Sequence, residues 1–194
     1  MIDEFLQTRP QHESLVLIIT TRDQRKGDAT IDKLEQHLRN VIRAHERKLP
    51  GIAQVLQNRV YFRQERLDLL SLVSVQKLSK KLLKTTPKLD VLICNAGIGG
   101  WTGIDWPRAI WTILTNWSNA ITWPTYKKSG VGWFTKPQIA AEKKVEEPPL
   151  GEVFCANVFG HYLLGHYLAP LLARHSASEK IRGRMIWVSS LEAY

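Results

Sequence analysis

Asp90-Val91-Leu92-Ile93-Cys94-Asn95-Ala96-Gly97 decides how this chain is read. Four consecutive apolar residues, rich in β-branched side chains, suit a parallel strand buried on both faces. The run ends directly in Asn-Ala-Gly. In an open parallel sheet ligands bind beyond the carboxyl ends of the strands, so this turn lies where a cofactor would sit. Ala96 and Gly97 are small enough for a ligand to approach the backbone closely. Asn95 can hydrogen-bond neighbouring strands and so hold the shape of the cleft. The tripeptide also closes ordinary strands, and its meaning depends on what surrounds it.

Three further runs read as strands: Leu15-Val16-Leu17-Ile18-Ile19-Thr20, the short Val60-Tyr61-Phe62, and Met185-Ile186-Trp187-Val188-Ser189. Helical patterns lie between them. Ile31, Leu34, Leu38, Val41, Ile42 and His45 repeat at three and four residues, and Leu72, Val75, Leu78 and Leu82 do the same behind Ser71 as N-cap. From Glu152 to about His175, Val153, Ala156, Gly160, Leu163, Leu164, Tyr167, Leu168 and Leu171 form the most apolar stripe. Strand and helix alternate, which predicts βαβ crossovers and a doubly wound α/β fold on a parallel sheet. The stretch from about 98 to 150 breaks this rhythm. It holds six of the seven tryptophans, and its end, Glu146-Glu147-Pro148-Pro149, is acidic and proline-rich. So many tryptophans argue against disorder and for an ordered or membrane-touching insertion. Packing of a long insertion accounts for them equally well.

The Asn-Ala-Gly turn has company. Asn157 in Asn157-Val158-Phe159-Gly160 is a polar residue on a very apolar helix, where it needs a partner or a task. Val188-Ser189-Ser190 ends the last strand, Thr21-Arg22 ends the first, and Leu67-Asp68-Leu69 follows the second. In this order, at the ends of successive elements, these features resemble the short-chain dehydrogenase/reductase family. Leu92 to Trp101, the tryptophan-rich insertion, Asn157-Val158-Phe159-Gly160-His161-Tyr162 and Ser189-Ser190-Leu191-Glu192-Ala193-Tyr194 resemble its fungal 3-ketosteroid reductases of ergosterol synthesis, over essentially the whole chain.

The resemblance implies a Rossmann-like NAD(P)-binding domain spanning 1–194, with Asn95, Ala96 and Gly97 beside the cofactor and Asp68 and Leu69 against the adenine. Arg22 is implied as the basic position that favours NADP(H) over NAD(H), since a guanidinium fork suits a 2′-phosphate; it also suits an exposed loop. Asn157 is implied to hold a proton-relay water, and Ser190 to orient the substrate carbonyl. The implied reaction is reduction of the C3 ketone of a sterol intermediate by NADPH, on the cytoplasmic face of the endoplasmic reticulum or at a lipid droplet. Implied partners are the sterol substrate, oxidosqualene cyclase or other sterol-pathway enzymes, and a membrane or lipid-droplet surface.

Parts of the family pattern do not occur in these 194 residues. No strand and glycine-rich turn stand before Leu15, where Met1 to about Thr8 reads as the second half of a helix. No Tyr-x-x-x-Lys follows Ser190, and Tyr194 is too close to that serine to be its catalytic tyrosine. The sheet is therefore expected to be incomplete, lacking its first strand and its C-terminal strands. Turnover by this chain alone is not expected, and poor solubility or a molten state is. Another short-chain reductase of bulky carbonyls, or a non-catalytic scaffold, fits the same residues.

Composition limits the field less. The chain is 44% hydrophobic and 23% charged, as ordinary globular proteins are. No run approaches the roughly eighteen apolar residues of a membrane span, and Met1–Leu6 carries acids where a secretory signal needs bases. Cys94 and Cys155 read as buried, reduced thiols of an intracellular protein, and the scattered histidines imply no metal site. The net charge of +9 invites a nucleic-acid reading. Much of it lies at helical spacing opposite apolar stripes (Arg39, Arg43, Arg47, Lys48; Lys77, Lys80, Lys81, Lys84), as on a solvated helix face, so no nucleic-acid partner is expected.

Overall fold

Leu15–Thr21 (β1) and Val60–Arg66 (β2) run parallel, with Leu15 opposite Val60 and Thr21 opposite Arg66. Parallel neighbours require a long crossover, supplied here by helices Gln24–Glu46 (α2) and Ala53–Gln57 (α3). A short helix, Ile2–Thr8 (α1), precedes them. This computed structural model describes residues 2–129, 133, 150–174 and 183–189. The chain divides into two units, Met1–Asp68 and Leu69–Tyr194. In the first unit Leu38 and Ile42 of α2 are buried with Ile2, Leu6, Leu56 and Val60, the core anticipated from the α2 stripe.

β2 runs four residues beyond its apolar start. Its extension is polar, and Glu65 is buried within it. Arg63 satisfies that carboxylate, with Nη2 at 2.7 Å and Nε at 2.8 Å from Glu65 Oε1. A buried acid inside a strand is tolerable only when it is paired in this way.

Arg59 ties separate backbone segments of the unit together. It is buried, and its guanidinium reaches the carbonyls of Pro10 (2.8 Å), Arg9 (3.0 Å), Glu13 (3.1 Å) and Leu6 (3.4 Å). These carbonyls belong to the C-terminal end of α1 and the turn after it, where helical carbonyls lack partners and the helix dipole favours a cation. The ring of Phe5 lies 5.0 Å from the guanidinium carbon. One side chain thus fastens α1 to the start of β2. At the other end of α2, the Glu46 carboxylate accepts from Gly51 N at 2.7 Å and Ala53 N at 2.8 Å, closing the loop to α3.

In the second unit Val91–Cys94 (β3) pairs in parallel with Arg184–Trp187 (β6), Val91 opposite Arg184 and Cys94 opposite Trp187. Helix Leu72–Thr85 (α4) starts at Ser71, whose Oγ accepts from Ser74 N at 3.1 Å. A continuous helical run follows the insertion: Glu152–Phe154 (α7), a π-helical turn Cys155–Phe159, and Gly160–Ala173 (α8). α4 packs on α8, and Val75, Leu78, Leu82, Leu164, Leu168 and Leu171 are the buried aliphatics of the pair. Full burial of each contributes roughly 1.5–3 kcal/mol.

The α/β class and its parallel pairing agree with the sequence reading. The prediction that β3 is buried on both faces does not hold among the described residues. Cys94 is buried and Leu92 half-buried, whereas Val91 and Ile93 on the opposite face are exposed, as is Ile186 of β6. The pleat sends alternate side chains to opposite faces, and only one face of this ladder is covered. The insertion contains an ordered element. Trp101–Ile104 (β4) and Lys127–Ser129 (β5) pair antiparallel around helices Trp106–Thr115 (α5) and Trp117–Thr122 (α6).

Replacing Arg59 by Met should cost about 2–4 kcal/mol, because four carbonyls lose their donors. Lys, with charge but no fork, should recover part of it. Urea titrations followed by far-UV circular dichroism measure both. The two backbone bonds, Gly51 first, hold the Glu46 pKa below its ordinary value. A depressed folded pKa means that this tether is intact above the unfolded carboxylate value of about 4.3. It is lost as pH falls through the lower folded value. The amide resonances of Gly51 and Ala53 should therefore move together on acidification below about pH 4, and should not move in Glu46→Gln.

Candidate functional site

The π turn carries the residue that organises the carboxyl end of β3. Asn157 is its third member, and its amide closes on the backbone of one residue 59 positions earlier. Oδ1 accepts from Ile98 N at 2.7 Å, and Nδ2 donates to Ile98 O at 2.9 Å. This reproduces with a side chain the two-bond exchange of a paired strand residue. Two of the four hydrogen-bonding positions of the amide are used, leaving one lone pair and one N–H for a water or a ligand. Single π turns inside α-helices recur at functional sites because they re-aim a side chain in this manner.

His161, four residues on, holds the other side of the same turn. It is buried, and its Nε2 lies 2.7 Å from Ala96 O. A carbonyl only accepts, so Nε2 is the donor of this bond. Nδ1 is buried and has no partner among the described residues. The ring meets Trp187 edge-on, with centroids 5.9 Å apart. Ala96 and Ile98 are therefore pinned on either side of Gly97. A Cβ on Gly97 would stand 3.1 Å from Asn157 Oδ1, closer than the clamped amide readily allows. From the opposite side the turn is open: Asn95, Ala96 and Gly97 are all exposed. Asn95 makes no side-chain hydrogen bond among the described residues, and Asn157 and His161 hold the turn.

The same helical run also fixes Leu69. Cys155 Sγ lies 3.3 Å from Leu69 O. Gly160 comes so close that an added Cβ would sit 2.6 Å from that oxygen. Leu69 is buried against this helix. Both cysteines are buried, and burial pushes the Cys94 thiol pKa up.

Arg22 and Asp68 belong to the first unit. Arg22 follows β1 and is exposed; Asp68 follows β2 and is half-buried. Leu67 N donates to Thr21 O at 3.0 Å, extending the parallel ladder by one rung, so both residues emerge at the same carboxyl end. In the second unit Val188 N donates to Cys94 O at 3.0 Å, and the chain leaves β6 at the end where Asn95 leaves β3. Ser190 and Tyr194 lie outside the described residues. His161 is the residue that sequence reading missed. Its i, i+4 spacing from Asn157 on an apolar helix was the available signal, obscured by considering histidines only as metal ligands.

Over the whole of its length the chain is 49% identical to the 3-keto-steroid reductase of Aspergillus fumigatus. It is a homologue of the fungal 3-keto-steroid reductases. The Gibberella zeae enzyme of that name is 38% identical over all of the chain, and that of Debaryomyces hansenii is 32% identical over 96% of it. The chain spans 42% of the Aspergillus reductase and 45% of each of the other two, somewhat under half of the relatives it matches. No protein-family model matches. Among solved structures, a Pseudomonas aeruginosa RhlG/NADP active-site complex is similar over 87% of this chain and 40% of that one, at 18% identity and a TM-score of 0.43. A metagenomic short-chain oxidoreductase in complex with NADP is similar over 87% and 48%, at 18% identity and a TM-score of 0.39.

Asn157→Ala removes both bonds to Ile98. Amide exchange at Ile98 should accelerate roughly ten- to a hundredfold, the equivalent of about 1–3 kcal/mol. Exchange at Val75 and Leu78 in α4 should be unchanged. Hydrogen-exchange mass spectrometry or NMR reads the difference.

Proposed function

We propose that this chain forms the cofactor-holding portion of an NADP(H)-dependent reductase acting on the C3 ketone of a sterol intermediate. The observation that carries the reading is the 49% identity with the Aspergillus fumigatus 3-keto-steroid reductase across the entire chain. The geometry after β3 supports it: a small-residue turn, pinned from behind by Asn157 and His161 and open in front, is a surface that a flat cofactor ring can approach. NADPH, when bound, supplies the hydride. The residues of this chain fix the turn, present the Arg22 guanidinium for a 2′-phosphate, and offer the two free amide positions of Asn157 to a water in a proton path.

No Tyr-x-x-x-Lys pattern occurs in the 194 residues. Proton donation to the ketone oxygen is therefore assigned to none of them, and the chain alone should not turn over. The reading is tested by replacing the aligned segment of the Aspergillus reductase with this chain. The expected chimaera reduces a 3-keto sterol with NADPH at a rate within about tenfold of its parent. Arg22→Ala in that chimaera should raise KM for NADPH by roughly ten- to a hundredfold and leave NADH use nearly unchanged. A folded, soluble chimaera without NADPH-dependent reduction would refute the proposal.

A further inference from the structure

The element 101–129 is built inside out. Its two helices pack together, and Ala109 of α5 and Ala120 of α6 are their buried side chains. The large apolar side chains point away. Leu114 is 78% exposed, Trp123 73%, Trp111 70% and Trp117 68%. At 100° per residue, Ile113, Trp106, Ile110, Leu114 and Trp111 fall on one arc about 160° wide, with Thr115, Arg108 and Thr112 opposite. An ordinary surface helix would turn that arc toward a core.

We infer that the outward face of α5 and α6 docks onto the surface of an anionic phospholipid bilayer. Three observations favour this occupant. Five of the chain's seven tryptophans lie between Trp101 and Ser129, and tryptophan is enriched where hydrocarbon gives way to headgroups. Charge is complementary to lipid phosphate: Arg108, Lys127 and Lys128 stand exposed against a single carboxylate, Asp105, which caps α5 by accepting from Arg108 N at 3.3 Å. Lys127 Nζ lies 4.7 Å from the centre of the Trp101 ring, so a cation and an indole share one edge of the element. The helices are 10 and 6 residues long, and no helix among the described residues is long and apolar enough to cross a membrane. Short, one-sided and basic at its base, the element suits shallow burial in the interface. The inference rests on exposed side chains and is independent of the reductase reading.

The test is cell-free synthesis of the 194-residue chain in the presence of vesicles, followed by flotation. Vesicles of phosphatidylcholine alone are compared with vesicles containing about 30% phosphatidylserine. The chain should float with the anionic vesicles, and brominated acyl chains should quench its tryptophan emission. Trp111→Ser/Leu114→Ser/Trp117→Ser, all at exposed positions, should reduce flotation by roughly tenfold or more. Lys127→Gln/Lys128→Gln should abolish the preference for phosphatidylserine. Three outcomes would overturn the inference: a chain that stays behind with both vesicle types, flotation indifferent to the triple substitution, or substitutions that abolish self-association or capture of a protein without any vesicle binding.

Discussion

A strand that ends in a loop leaves backbone amides and carbonyls that something must satisfy. In the second unit one helical run meets most of that demand. Between Cys155 and His161 it reaches the carbonyl of Leu69, both backbone groups of Ile98 and the carbonyl of Ala96. Near its far end, Leu171 O accepts from Leu89 N and Leu172 O from Gly183 N, both at 3.1 Å, just before β3 and β6 begin. The run is thus a spine to which the loops at both ends of the ladder are bonded. A regular α-helix spaces side chains too evenly to serve all these points. The π turn at Cys155–Phe159 inserts the offset, and Gly160 directly after it removes the Cβ that would otherwise strike Leu69 O. Geometry at the candidate cofactor turn is therefore set by residues about 60 positions away in sequence.

The first unit solves a comparable problem by different chemistry. Its loops are tied by charged side chains bonded to backbone, Arg59 to four carbonyls and Glu46 to two amides. Such bonds are stronger than neutral ones, and they give fixed geometry where the apolar core is small. Arg22 and Asp68 sit on a unit held by ionic clasps, and the Asn95–Gly97 turn on one held by helix packing.

What was legible in the sequence was whatever periodicity and apolar runs encode. β3 has the boundaries its four apolar residues imply, α2 and α4 bury the stripes read from them, and Ser71 caps as its position suggested. The polar half of β2 was invisible because its support is the Arg63–Glu65 pair, not hydrophobicity. The exposed face of β3 was equally hidden, since an apolar run states what a strand could bury and not what is there to cover it. Asn157 stood out as a polar residue on an apolar helix. That its partner is Ile98, and that His161 acts beside it, depends on a π turn that no propensity announces. In the insertion the tryptophans predicted order but not its form, because β4 and β5 are joined by backbone pairing across residues without strand alternation.

The insertion also shows how an element can be ordered without a core. Asp105 and Asn116 cap its helices by accepting from the amides of Arg108 and Asn119, and Tyr126 Oη donates to Ala120 O at 3.0 Å. Asp105 N donates to Tyr126 O at 2.8 Å, closing the base beside the β4–β5 ladder. Isolated helices of 10 and 6 residues are marginal in water, and capping contributes only about 1 kcal/mol each. Two alanines bury too little apolar area to make up the difference. The element is accordingly arranged by local hydrogen bonds, while the free energy available from its large side chains is left unused on the outside. That separation is the reverse of what the α4–α8 pair does, where Leu168, Leu171 and Val75 are spent on the interior. Within one chain, then, the apolar residues of α4 and α8 fill an interior, and the large apolar residues of the insertion lie on the outside.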